Sequence, residues 1–443
     1  MAFHTRRRSL TIAATVAAST VALLGLAGCS SGGSSDSKTL TVQVQTGQET
    51  EIGAFIKGFK AANPGVTVKT LSLGQTAKNG SNIQVITSSN APDVALVPTN
   101  SQAFTDLTAG KQLASLSDVW KNQDLNKRYG STLAGALSTD GTPYVVSYDE
   151  TIYDVVYYNT ALFQQAGIQA PTDHRIPSLD ALTSMANKLK AIGKQGLSIG
   201  PGDNFQSSWM IDAFLPTSTT DSQLHSYLTS WQSSKGSAAS YTDKAFTDAI
   251  GQIQAMGKAG VFQDGYLGQN VTQSEANFVQ QDAGMLLDGS YSPAVLAKDG
   301  AKFDYDWMLL PPVDPSKKVE ASLYNGNAYA IPAKAKNIPL AKKFLEYVMS
   351  VKGQSLLPSI GSLPSVNDIP KSAYSSLPKQ TQEELADEAT NGGQPGWTSI
   401  VPGGLGQQLV DPKIQEMLNG NGTPQQIGQA VQAELQKLRS SAK

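Results

Sequence analysis

The stretch TLTVQVQTGQETEIGAFIKGFKAANPGVTV, residues 39–68, switches its hydrophobic period twice. Leu40, Val42 and Val44 alternate with polar residues, as in a half-buried strand. Ile52, Phe55, Ile56 and Phe59 then recur at helical spacing, Asn63-Pro64-Gly65 stops the helix, and Val66-Thr67-Val68 alternates again. The spacing predicts a strand, helix, turn, strand unit. A strand that returns through a helix points to a parallel α/β sheet with right-handed crossovers.

Working outward, Ala91-Pro92-Asp93-Val94-Ala95-Leu96-Val97 adds a short buried strand after a turn. A second group of signals starts after Thr142-Pro143. Tyr144 to Asn159 is rich in Tyr and Val, and after Pro177-Ser178 the apolar Leu182, Met185, Leu189 and Ile192 share a helical face. Ala341, Phe344, Leu345, Val348 and Met349 do the same later. The last helix opens on Thr423-Pro424-Gln425-Gln426, a Thr cap with Pro at the first helical position. The chain has 443 residues, too many for one small module, and this favours two lobes.

Charged residues are 16% and hydrophobic ones 40%, which excludes whole-chain disorder. Setting aside Arg6, Arg7 and Arg8, 31 basic residues face 36 acidic ones, so bulk electrostatics recruit neither nucleic acid nor anionic lipid. One cysteine excludes an intramolecular disulfide, a cysteine zinc cluster and a CxxC redox pair, and three histidines argue against a His-rich metal site. The basic triplet precedes an uncharged, moderately apolar stretch from Leu10 to Gly28, the layout of an export signal. That signal ends in Leu26-Ala27-Gly28-Cys29, which resembles the lipobox of bacterial lipoproteins, where the thiol receives a diacylglyceryl group. Residues 30–37, SSGGSSDS, form a polar tether after it. The expectation is a signal peptide over 1–28, a lipidated Cys29 with a tether to residue 38, and a protein held on the outer face of the bacterial cell membrane.

Several separated segments together resemble the extracellular solute-binding proteins of ATP-driven sugar importers, the family that includes maltodextrin-binding protein. They are Phe59 to Val68, Ala91-Pro92-Asp93-Val94, Val155-Val156-Tyr157-Tyr158-Asn159 with Leu162-Phe163, and Asp282-Ala283-Gly284-Met285 with Gly289-Ser290-Tyr291. Asn325-Gly326 leading to Tyr329-Ala330-Ile331, residues 341–348 (AKKFLEYV), and Gly361-Ser362-Leu363-Pro364 follow in order. The chain departs from the family at Val145-Val146-Ser147-Tyr148, where a Pro is usual, and at Tyr291, where the family has Trp.

The resemblance implies a two-lobed, periplasmic-binding-protein-like α/β fold with a hinge and an interlobe cleft. Lobe 1 would comprise residues 39–147 and about 324–362, lobe 2 about 148–323 and 363–443, with crossings near Ser147, Leu323 and Leu363. The expected ligand is a neutral mono- or oligosaccharide, passed to the permease subunits of an ABC importer by a monomer without cofactor, metal or catalytic residues. Sugars offer apolar C–H faces and many hydroxyls, so binders combine stacking rings with Asp, Glu, Asn and Gln. Trp209, Tyr291 and Trp397 fall where the family places its stacking aromatics, whereas Trp120, Trp231 and Trp307 are expected to pack. Gln48, Glu49, Asn100, Asp149, Glu150, Asn325 and Gly326 are the polar candidates.

Other readings share the export signal. A secreted glycosidase or lyase would use acids such as Asp149-Glu150, Asp304 or Asp306, since any two carboxylates can meet in three dimensions. A metal-ion or polyamine binder would want clustered tyrosines or acids, and Tyr157-Tyr158 is similar to the phenolate pairs of ferric-ion binders, although alternating tyrosines also pack one in and one out. Gly196-Leu197-Ser198-Ile199-Gly200 fits the nucleophile elbow GxSxG, but only His225 follows it, 27 residues on. Ser35-Asp36-Ser37-Lys38 fits SxxK without its partner motifs.

Overall fold

The computed structural model describes residues 38–443 apart from 46–47, 74–81, 98, 100–101, 130–132, 135–136, 140, 230–238, 325–326, 402–403 and 442–443. The expected signal, Cys29 and nearly all of the tether lie outside the described residues, as do Asn100, Trp231, Asn325 and Gly326.

In chain order the strands are β1 (Thr39–Gln45), β2 (Thr67–Leu73), β3 (Ala95–Leu96), β4 (Ser138–Thr139), β5 (Thr142–Pro143), β6 (Val145–Ser147), β7 (Asp149–Tyr153) and β8 (Val155–Asn159). β9 (Gln195–Ser198), β10 (Ala283–Asp288), β11 (Tyr305–Leu309), β12 (Ala321–Tyr324), β13 (Ala328–Ala330), β14 (Leu363–Pro364) and β15 (Gly393–Pro395) complete them.

The opening unit folds as its periodicity predicts. β1 and β2 are parallel in the register Thr39↔Thr67 to Gln45↔Leu73, joined by the helix Glu49–Ala62. That helix carries Glu49 and Glu51 in its first turn and Lys60 in its last, which complements its dipole. It buries Ile52, Phe55 and Phe59, the last ring edge-on to Phe344 at 5.3 Å. Gly65, at φ +88°, turns the chain into β2 where a side chain would be strained. The Pro-Asp-Val stretch has a physical reason too: buried Asp93 accepts from the Thr41 amide at 2.8 Å and the Asn337 amide at 2.9 Å, tying β1 to the helix Ile338–Met349.

An all-parallel sheet is not what forms. β13 runs antiparallel to both β3 and β6, and β8 antiparallel to both β10 and β11, while β9–β10 and β12–β15 are parallel. The reason is topological: β6, β7 and β8 follow one another almost without a break, so the chain passes from one sheet to the next and neighbours meet it from the opposite direction. β6 belongs to the sheet β3-β13-β6, β7 to β14-β7-β12-β15, and β8 to β11-β8-β10-β9.

One core gathers Leu40, Phe55, Val94, Trp120, Tyr148, Tyr329 and Phe344 around the first of these sheets. A second gathers Val156, Leu197, Phe214, Phe246, Met285 and Val431 around the last, and a third, with Ile152, Tyr157, Phe278, Trp307 and Leu363, fills the other face of β8 and β10. Tyr157 and Tyr158 therefore point to opposite faces, but both are buried. β8 is an interior strand covered on both sides, so the expected solvent-facing tyrosine is absent. The fold is the two-lobed α/β architecture, and the chain crosses from the sheet of β6 to that of β8 through β7, which makes β14-β7-β12-β15 a crossing sheet.

Candidate functional site

The crossing sheet positions the site. In β7 and β12 the register Ser322↔Tyr153, Leu323↔Ile152 and Tyr324↔Thr151 puts Tyr153 and Tyr324 on one face. Their rings stack at 5.1 Å, and Tyr153 stacks on Trp209 at 3.9 Å with planes 13° apart. Trp209 stands in the first turn of the helix Gln206–Ser218, with Phe205 tilted against it at 4.7 Å. Phe205 cannot cap that helix. Asp411, from a distant segment, does so instead, accepting from the Ser208 amide and the Ser207 hydroxyl at 2.7 Å each, which fixes where Trp209 projects.

Acids surround the rings. Asp212, on the same helix, accepts from the Thr398 amide at 2.9 Å and from its hydroxyl, and burial pushes its carboxyl up to about 7. Asp154, at φ +59°, is buried with the Ser322 hydroxyl as its nearby donor; burial and then neighbouring Asp212 hold its pKa well above the carboxylate range, against the lowering effect of Ser322. Burial, followed by Tyr324 and the acids Asp149, Asp212 and Asp154, raises the Tyr153 phenol.

Of the expected contacts, half-buried Gln48 precedes the helix Glu49–Ala62 and accepts from the Tyr148 hydroxyl at 3.1 Å, one residue before Asp149. Glu49 is exposed and Glu150 half-buried. Half-buried Tyr291 donates to Asp288, and Tyr153 is among the groups that raise its phenol, behind burial and Asp288. Trp209, Tyr291, Asp149 and Glu150 are thus gathered at the crossing sheet.

Two of the expected contacts are buried and already engaged. Trp397 is 1% exposed in the second core, beside Phe246 at 5.1 Å and Tyr241 at 5.7 Å, with its indole N–H donated to the Tyr241 hydroxyl at 3.2 Å. Its surface is covered by other rings, more completely than that of Trp209, which is 8% exposed between Tyr153 and Phe205. Asp149 is buried and accepts from Asn327 through the backbone amide at 3.2 Å and the side-chain amide at 2.6 Å, so it braces the segment after residue 326 and does not offer a free carboxylate. Trp120 and Trp307 pack as expected.

Thr99, Leu133, Leu137, Leu323, Pro395, Ser399 and Ile400 line one small gap. The gap holds about 10 Å³, room for about one water molecule. Neither the apolar residues here nor the Tyr153–Tyr324 pair were legible in sequence, because each depends on a register between strands far apart in the chain.

The rival motifs dissolve into packing. Ser198 is fully buried, donates to the Ser274 carbonyl at 3.0 Å and accepts from Asn277 at 3.2 Å. A Cβ on Gly196 or Gly200 would collide with the backbone of Val261 or Asn270, so the GxSxG glycines serve close approach. Among the described residues no three His, Cys, Asp or Glu stand as a metal-holding group, and no helix is long and apolar enough to cross a membrane.

The chain is 21% identical over 352 residues to an uncharacterized ABC transporter extracellular-binding protein of Pyrococcus horikoshii, covering 78% of this chain and 75% of that one. A chitin oligosaccharide binding protein superposes with a TM-score of 0.73 at 19% identity, covering 92% of this chain and 99% of the other. The maltose-bound MalE3 of T. maritima does so at 0.70 and 15%, covering 90% and 99%. The family model of the bacterial extracellular solute-binding proteins matches residues 45–355, and the chain belongs to that family.

Proposed function

We propose that this solute-binding protein captures a neutral saccharide between its lobes, releases it unchanged to the permease of an ABC importer, and is held at the membrane surface through Cys29. The observation that carries this reading is the stack Trp209–Tyr153–Tyr324 in a setting of acids. Among the described residues, the charged or titratable groups that shift Tyr148, Tyr153, Tyr324 and Asp154 in either direction are all acids and phenols. Rings beside carboxyl groups that exchange hydrogen bonds with hydroxyls suit a sugar, and a site whose titratable neighbours are acids and phenols disfavours an anionic solute. Gln48, Glu150, Trp209 and Tyr291 are the contacts we assign, with Tyr324 added; Glu49, Asn100, Asn325 and Gly326 keep their place as candidates.

The similar structures supply the class of ligand to try: chitin oligosaccharide, maltose and, in the receptor AcbH, β-D-galactopyranose. A thermal-shift screen of these sugars against glucuronic acid and spermidine tests the reading, because ligand at about 100 Kd stabilises the native state by about 2.7 kcal/mol. Stabilisation by a neutral sugar alone supports it. Stabilisation by spermidine or glucuronate, with none by sugars, overturns it.

A further inference from the structure

The turn Gly289-Ser290-Tyr291 leaves β10 and is held by three separate segments. The Ser290 amide donates to the Ile152 carbonyl at 2.9 Å, and the Ile152 amide donates to the Ser290 hydroxyl at 3.1 Å. The Thr381 hydroxyl, from the helix Lys379–Asn391, donates to the Ser290 carbonyl at 2.9 Å. The third holder is Tyr157, whose hydroxyl lies 2.9 Å from the Gly289 carbonyl oxygen and 2.8 Å from Oε1 of Glu384, on the same helix as Thr381.

A phenol has one proton to donate, and here two acceptors stand within reach of it. If Glu384 were ionised, one of these two O···O contacts would hold no hydrogen, in a place where Glu384 is 2% exposed and its Oε2 has no partner among the described residues; the Gly289 carbonyl keeps the Ser292 amide at 2.9 Å in either case. One additional proton satisfies both contacts. The groups that act on Glu384 or on its partner Tyr157 do not compensate a negative charge: Glu383 on its own helix, Tyr157 on β8, Tyr305 on β11 and Asp288 at the end of β10 are all acids or phenols. Arg175, one turn on, is taken by Asp387 at 3.0 and 2.7 Å, and Lys379 by Glu383 at 3.3 Å.

We propose that Glu384 is kept as the neutral carboxylic acid, donates its proton to the Tyr157 oxygen, and through Tyr157 fixes the turn that presents Tyr291. Glu384 is then a positioning residue. Its weight in ligand capture rests on the reading of Tyr291 given above, whereas the placement of the proton does not. Burial, which raises the Glu384 carboxyl to about 8, agrees with it.

The test needs no ligand. Carbon-13 labelling of glutamate carboxyls, with Glu384→Gln to assign the resonance, should show the Glu384 carboxyl neutral at neutral pH and ionising near 8. Exchange protection of the Ser290 and Ser292 amides, corrected for intrinsic pH dependence, should fall in the wild type above that pH. Glu384→Gln, whose amide still donates to Tyr157, should hold its protection across the range, and Glu384→Ala should lose about tenfold. A Glu384 resonance ionised throughout, flat wild-type protection, or a Gln variant that behaves like Ala overturns the proposal. Should Glu384→Ala fail to fold, the wild-type and Gln profiles still decide. A sugar screen without hits would leave these results standing, so the two readings fail separately.

Discussion

The ring of Tyr153, at the end of the crossing strand β7, lies flat against that of Trp209 at 3.9 Å, so the crossing between lobes and the first turn of a lobe helix share one contact surface. Tyr324 continues the stack and is half-buried, the ring with most surface left for a ligand. Trp209→Ala or Tyr324→Ala is therefore expected to weaken saccharide binding by roughly 1–3 kcal/mol, about 5- to 150-fold. Calorimetry on variants checked for folding measures this. Unchanged affinity in both would remove the stack from the site.

Trp397 makes the opposite case. Because it fills the second core beside Tyr241 and Phe246, Trp397→Ala should cost about 3–5 kcal/mol of stability in denaturant unfolding, with sugar affinity of the folded fraction retained. A variant as stable as wild type that no longer binds would place this ring back in the cleft.

These two residues show how far the sequence could be read. Trp209 and Trp397 look alike in a single chain, each a tryptophan in a segment where the family stacks a ring on sugar. Both are buried, and only their neighbours separate them: Trp209 stacks on Tyr153 of the crossing strand, and Trp397 packs on Tyr241 and Phe246. The alternation Leu40, Val42, Val44 and the spacing Ile52, Phe55, Phe59 are local, so that unit was legible. The antiparallel pairing of β8 with β10 joins residues more than a hundred positions apart, and no local period encodes it. For Asp149 the chain suggested a polar ligand contact near the hinge. Its engagement by Asn327 depends on a contact across 178 positions.

Acidity should stabilise the protein. Asp212 has a folded pKa of about 7, raised by burial above the ordinary aspartate range, so the folded state binds a proton that the unfolded state releases. Its contribution is fully present below the unfolded value and is lost as pH rises through about 7. Melting temperature should therefore decline from about pH 5 to about pH 8, and Asp212→Asn should flatten that slope. Scanning calorimetry at matched ionic strength reads it; a melting temperature that rises over this interval in the wild type is the contrary result.

The anchor is tested at the only thiol. Cys29→Ser should release the protein from membranes or leave an unprocessed precursor, while sugar binding persists. Intact mass of the wild type should show a lipidated Cys29 as the first residue. An unlipidated N-terminus at another residue would refute the assignment.

The central claim, capture of a neutral saccharide without chemistry, is met most directly by titration calorimetry of the purified protein with chito-oligosaccharides, maltose and galactose, followed by mass analysis of the recovered sugar. The expected result is saturable binding of at least one of them at one site per chain, abolished or weakened in Trp209→Ala, with the sugar recovered intact. No heat from any of them, or new reducing ends that scale with protein concentration, would contradict it.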